Sequence, residues 1–262
     1  MTSPLDDYNR KRNFDRTAEP PGTAAPRDDG AAGGRDGRLR FAVQHHLASR
    51  DHYDLRLEWN GTLLSWAVPK GPSYNPRDKR LAVRVEDHPL DYRTFEGTIP
   101  QGEYGGGTVM LWDEGWWEPL VDVEQGLREG DLKFALHGHR LKGAWVLVHM
   151  KPKKGERDVN WLLIKEKDDY VRADAGIDGF ETSVQTGRTM DEIARGEDEA
   201  FAANPFDHVD VELAKLVNTT PPGDGWLFEV KYDGYRIVAY VEGGRARLVT
   251  RNGNDYTRHF PT

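Results

Sequence analysis

Three observations on the 262-residue sequence predict a mainly β fold, a small barrel or a sandwich. Short β-rich runs recur between Leu39 and Lys167, divided by turn residues at the spacing of an all-β domain. Asn60-Gly61 falls between two of the runs, and this pair is favoured in two-residue hairpins because both turn positions need positive φ. A hydrophobic fraction of 37% supplies enough apolar material for a core.

Along the chain, residues 1–38 are rich in Gly, Pro, Ala and Asp, which predicts a largely flexible segment with little regular structure. Strands follow in the order RLRFAVQHH, YDLRLEW, TLLSWAV, RLAVRVE, GTVMLW, LKFALHG, GAWVLVHM and NWLLIKEK. Residues 50–68 form the hairpin around Asn60-Gly61. Beyond Lys167 the composition shifts: residues 168–224 carry 4 basic and 14 acidic side chains and read as an acidic interdomain linker, with one short helix near Thr189–Arg195. From Trp226 strand patterns return in WLFEVKYDGYRIVAYV and RARLVTRNG, over too few residues for an independent domain.

The net charge of −8 speaks at first against a nucleic-acid partner. Residues 39–167 are neutral, however, with 19 basic and 19 acidic side chains, and a neutral domain can present a basic face. With no cysteine, disulfides, thiolate zinc sites and cysteine nucleophiles are excluded, so any metal must be held by His and carboxylates. No apolar run is long enough to span a bilayer and the N-terminus has no secretion-signal core, which predicts a cytoplasmic protein without a membrane partner.

The chemistry-bearing pattern lies in QHHLASRDHYDLRLEW. Alternation places His52, Asp54, Arg56 and Glu58 on one strand face and Tyr53, Leu55, Leu57 and Trp59 on the core face. His52 and Asp54 are one pleat apart, about 7 Å between Cα atoms, so an imidazole and a carboxylate converge. His46 on the preceding run completes a two-His, one-carboxylate triad with positions open for water and substrate. Such an ion lowers the pKa of bound water or polarises a phosphoryl oxygen. A polar strand face is also commonly just solvated, but Lys70, Arg80, Arg84, His88 and Arg93 bring cations to neighbouring runs and Tyr92 adds a phenol, which suits a phosphoester. A non-haem iron oxygenase uses the same triad, yet the 2-oxoglutarate-dependent enzymes need a downstream Arg-x-Ser that this chain lacks. PQGEYGGGT, Pro100 to Thr108, has no P-loop lysine and precedes a strand, so it reads as a tight β-connection. Trp112, Trp116 and Trp117 receive no assignment beyond strand residues.

VQHHLASRDHYDLRLEWNGTLLSWAVPKGP, followed by LAVRVEDHPLDYRTFEGTIPQGEYGGGTVMLWD, resembles the 3′-phosphoesterase domain of bacterial DNA ligase D, over about Tyr8 to Lys167. The resemblance implies a small antiparallel β-barrel, a manganese-type divalent ion, and removal of a 3′-terminal phosphate or ribonucleotide from a primer strand to leave a 3′-OH. It matches His46, His52 and Asp54 to the metal ligands, Arg56, Lys70, Arg80, His88 and Tyr92 to residues around the phosphate, and Gln44 to a polar active-site position. His88 is left open between proton donor and phosphate binder. YNRKRNFDRTAEP resembles the family's opening segment, with Arg12 and Glu19 at functional positions and part of the segment folded over the site; Asn13 stands where the family usually has Asp. Implied partners are primer–template DNA 3′ ends, the end-binding protein Ku and a repair polymerase, in a bacterial, nucleoid-associated setting. A DNA-end-binding module with decayed chemistry is the other reading.

Lys231-Tyr232-Asp233-Gly234-Tyr235-Arg236 resembles the adenylation motif of ATP-dependent DNA ligases, where the lysine amine attacks the α-phosphate of ATP, and Arg251-Asn252-Gly253 resembles the next element. The resemblance assigns Lys231 and Arg236 to the start of an α+β nucleotidyltransferase domain, residues 225–262. ATP belongs to a complete ligase domain; the downstream carboxylates and lysines are not in this sequence, so neither adenylation nor sealing is expected of it.

Overall fold

A computed structural model describes residues 3–23, 37–152, 155, 158–196, 237–242 and 245–250. The chain divides into two units, Met1–Ala200 and Phe201–Thr262.

In the first unit, eight strands close an antiparallel barrel. They are β1 (Leu39–Leu47), β2 (Asp51–Trp59), β3 (Thr62–Val68), β4 (Arg80–Arg84), β7 (Gly107–Pro119), β8 (Asp131–Gly138), β9 (Lys142–His149) and β10 (Asn160–Lys165). Their order is β1-β2-β3-β4-β10-β9-β8-β7, and β7 returns to β1. Two short strands flank the barrel: β5 (His88–Pro89) pairs with β3 and β6 (Gly97–Ile99) with β7. Closure leaves no barrel strand with an unpaired edge. The hairpin between β2 and β3 turns on Asn60 (φ 48°) and Gly61 (φ 79°), as the sequence predicts.

The barrel is filled by one face of each strand. Phe41 and Val43 of β1, Leu55 and Leu57 of β2, Leu64 and Trp66 of β3, Trp112 and Trp117 of β7, and Phe134 and Trp145 form one buried cluster. Trp112 and Trp117 are thus core residues, while Trp116 stacks on His137. A second cluster, Tyr8, Leu63, Tyr92, Phe95, Ile99 and Val109, covers the opposite face of the β1–β2–β3 wall.

Two segments that composition marks as loose are folded. Residues 3–23 include α1 (Asp6–Arg10) and bury Leu5 and Tyr8 completely, so apolar anchors in a charged sequence order this part of the N-terminus. Residues 168–196, the first half of the expected linker, strap onto the barrel. Phe180 and Met190 pack against its core, Trp112 Nε1 donates to the Phe180 carbonyl at 3.0 Å, and Val184 N donates to the Leu111 carbonyl at 2.9 Å. Glu96 accepts from Thr186 Oγ1 and from Arg188 Nη2, fastening the strap. The acids of this segment hide widely spaced apolar anchors from any compositional reading. The expected short helix is Met190–Ala194 (α3; α2 is Val123–Glu129, between β7 and β8), capped by Thr189 and Glu192 in a capping box.

In the second unit β11 (Ile237–Glu242) pairs antiparallel with β12 (Arg245–Thr250). Lys231, Arg236 and Arg251 lie outside the described residues.

Candidate metal and phosphate site

Register builds the site. Gln44 opposes Asp54, His46 opposes His52, Ala42 opposes Arg56, and Arg56 opposes Ser65. Directly opposed residues in antiparallel strands project to the same side. Gln44, His46, His52, Asp54, Arg56 and Ser65 therefore share the outer face of the barrel wall, under the second apolar cluster.

The ligand atoms of His46, His52 and Asp54 all lie within 4.8 Å of one another. His52 Nδ1 donates to the Arg50 carbonyl at 2.9 Å, which leaves Nε2 as the lone-pair nitrogen, 3.6 Å from Asp54 Oδ1. His46 Nε2 is buried with no hydrogen-bond partner, and burial lowers the pKa of this ring, keeping it neutral. Two imidazoles and a carboxylate, with the buried His46 Nε2 left without a hydrogen-bond partner, fit a divalent cation.

Arg56, almost fully buried, is held from three sides: Nε donates to Gln44 Oε1 at 2.6 Å, Nη1 to Ser65 Oγ at 3.0 Å and Nη2 to Asp54 Oδ2 at 2.9 Å. Its guanidinium also lies 4.7 Å from the Tyr92 ring centroid. Gln44 in turn donates to the carbonyls of Tyr92 and Phe95, at 3.0 and 2.8 Å. Gln44 is thus a bracket between the barrel wall and the turn carrying Tyr92.

His88 Nδ1 donates to the Glu86 carbonyl at 2.9 Å and its Nε2 accepts from Arg12 Nη2 at 3.1 Å. Complete burial, with Arg56 and Arg12 nearby, holds its pKa well below the usual imidazole value. Arg12 reaches this position from the N-terminal segment, paired with Glu19 at 2.8 Å and Glu86 at 3.1 Å and lying over the Tyr8 ring. Glu19 also accepts from Thr17 Oγ1. Asn13, exposed, accepts from the Asp15 amide through its side chain and begins a turn.

Other expected residues lie at the margin. Lys70 follows Val68, the partner of Tyr53, and Arg80 opens β4; strand connectivity puts both at the His52 end of the wall. Arg80 pairs with Asp78, and neither cation bonds to the triad. Arg84 pairs with Asp87 and Arg93 with Glu114. The glycine loop is the β6–β7 connection, and it abuts the site: a Cβ on Gly105 would stand 3.8 Å from His46 Cε1. Ser65 and Glu86 were not legible as site residues. The parity of β3 opposite Arg56 is the signal for Ser65, and proximity to His88 the weaker one for Glu86.

The first unit is a closed antiparallel β-barrel domain whose outer wall carries a His–His–Asp cluster beside buried arginines. Residues 44–149 match the family model of the DNA Ligase D 3′-phosphoesterase domain, and residues 201–262 match that of the ATP dependent DNA ligase domain. The "Multifunctional non-homologous end joining protein LigD" of Pseudomonas aeruginosa is 46% identical over 281 residues, covering 99% of this chain and 32% of that protein. The similarly named protein of Mycobacterium tuberculosis is 36% identical over 97% of this chain and 28% of its own length. That of Mycolicibacterium smegmatis is 33% identical over 98% and 29%. The chain therefore spans about a third of the curated relatives it matches. Among the described residues no helix is long and apolar enough to cross a membrane.

Proposed function

We propose that the first unit is a metal-dependent phosphoesterase that removes a 3′-terminal phosphate or ribonucleotide from a DNA primer strand and leaves a 3′-OH for joining. The observation that carries this is the juxtaposition of the orphaned His46 Nε2, His52 and Asp54 with the three-way-held Arg56. Mn²⁺ is the proposed ion; when bound by the triad it supplies Lewis-acid stabilisation of a phosphoryl oxygen. Arg56, held planar, meets two phosphate oxygens as a fork. Hydrolysis adds water to phosphorus and breaks the P–O3′ bond, the water's proton leaving on the 3′ oxygen; His88, neutral and hydrogen-bonded to Arg12, stands where it either relays that proton or binds the phosphate beside Arg12 and Arg56. Tyr92, under the Arg56 guanidinium, fixes its plane, and Lys70 and Arg80 add charge at the rim. An iron oxygenase would use the same triad, but flanking arginines suit a phosphate. By the relatives' names the reaction serves non-homologous end joining; Ku and a repair polymerase are proposed as partners on the family resemblance alone.

The test is a denaturing-gel assay on a labelled primer–template ending in 3′-phosphate with Mn²⁺, with chelator and His52→Ala controls. Metal-dependent conversion to 3′-OH, lost in the variant, is expected. No conversion by folded, Mn²⁺-loaded protein refutes the phosphoesterase and leaves the DNA-binding relic.

A further inference from the structure

The loops at the His52 end of the barrel wall carry charge that the catalytic assignment does not use. Residues 48–50 join β1 to β2, and residues 69–79 join β3 to β4; because β2 and β3 are paired neighbours, both loops emerge at the end where His46 and His52 face each other. Arg50, Arg77 and Lys79 are exposed there, and no hydrogen bond, ion pair or ring contact involves their side-chain cations. Of the acids alongside, Asp51 pairs with His45, Asp78 with Ser73 and Arg80, and Glu103 with Arg16, while Asp174 of the strap is exposed between the two residues that hold the 69–79 loop.

The 69–79 loop is also rigidly mounted. Ser73 Oγ accepts from Asn75 N, Asn75 Oδ1 accepts from Arg77 N, and Asn75 N is followed by a turn closed by Asp78 N on the Asn75 carbonyl. The strap holds it from outside, through Tyr74 N to the Ala175 carbonyl and Asn75 Nδ2 to the Ala173 carbonyl at 2.8 Å each. Free cations on a fixed frame, in a chain of net charge −8, form a surface suited to a polyanion.

The geometry points to Arg50, Arg77 and Lys79 as a docking surface for the sugar–phosphate backbone of the DNA strand whose 3′ end enters the site. The inference rests on the proposed function, naming how the strand behind the reacting end is held. Phosphate contacts of this kind fix register without reading sequence, and each releases counterions, so their sum is visible as salt dependence.

The experiment measures binding apart from hydrolysis. The full chain is titrated into a fluorescein-labelled primer–template with a 3′-phosphate, in EDTA, by anisotropy across a salt series. For Arg50→Ala/Arg77→Ala/Lys79→Ala the slope of log Kd against log salt is expected to fall by about 2 to 3, near one per cation lost, with at least tenfold weaker binding at low salt. Lys79→Glu alone is expected to weaken binding further than Lys79→Ala. Arg128→Ala removes an exposed cation from α2, which meets the Asn60 turn at the opposite end through Glu124, and is expected to leave the slope unchanged. Thermal melts check that the exposed substitutions leave folding intact. An unchanged slope in the folded triple variant, an equal loss in Arg128→Ala, or no DNA binding by the wild type overturns the inference. Wild-type binding with the cation-dependent slope but no removal of the 3′-phosphate in Mn²⁺ refutes the phosphoesterase and upholds the surface.

Discussion

Replacing Gln44 by Ala tests whether the site is held by the bracket between wall and turn. The side chain is fully buried and makes three hydrogen bonds, one from Arg56 and one each to the carbonyls of Tyr92 and Phe95. Its loss strands a charged donor, costing about 1.5–3 kcal/mol, and two carbonyls at about 1 kcal/mol each. The total is about 4 kcal/mol, a drop in Tm on the order of 10 °C for a domain of this size. Arg56 loses the contact that aims it, so kcat on a 3′-phosphate is expected to fall about 100-fold, with a smaller change in KM. Gln44→Glu keeps an acceptor for Arg56 while turning a carboxylate toward the two carbonyls. It should therefore lose comparable stability but retain more activity than the alanine variant. Thermal unfolding and steady-state kinetics on the three proteins decide it. A loss below about 1 kcal/mol with kcat within twofold of wild type would show that Gln44 does not carry the arrangement.

Three further outcomes follow from the same structure. Burial holds the His88 pKa well below its unfolded value of about 6.5, so below that pH the unfolded chain binds the extra proton and stability falls on acidification, by up to about 1.4 kcal/mol per pH unit; urea unfolding from pH 7.5 to 5 should show a shallower decline in His88→Gln. Gly107→Ala places a Cβ 2.4 Å from the Leu47 carbonyl oxygen at φ +150°, and is expected to cost at least about 2 kcal/mol in thermal melts, against about 1 kcal/mol for Gly105→Ala, whose Cβ has room; equal costs would deny the close approach. A chain ending at Lys167 removes the strap and leaves Glu96 buried without Arg188 and Thr186, so it should bind a hydrophobic dye and melt well below the full chain, and an unchanged melt would refute the strap's structural role.

Strand alternation made much of the site legible. The period of two placed His52, Asp54 and Arg56 together, and a neighbouring run supplied His46, because register in an antiparallel hairpin follows from its turn. Two things stayed hidden. Composition averages over a window, so Leu5 and Tyr8, or Phe180 and Ile193, disappear among acids and glycines although each is an anchor. Contacts remote in sequence also leave no local trace: Arg12 meets His88 76 residues away, and only the family resemblance suggested that the N-terminal segment covers the site. For Lys231 and Arg236 the resemblance is the whole reading, since both lie outside the described residues.

The side of the wall on which the triad stands decides what size of molecule can be served. A centre inside a closed barrel admits only what fits through the mouth, and this interior is already filled by Trp66, Trp112, Trp117 and Trp145. A centre on the exterior needs only that a terminus reach it; the remainder of the ligand runs along the outside of the protein, and its length imposes no steric limit. The barrel acts as masonry behind a workbench, and its interior can be repacked without re-cutting the bench.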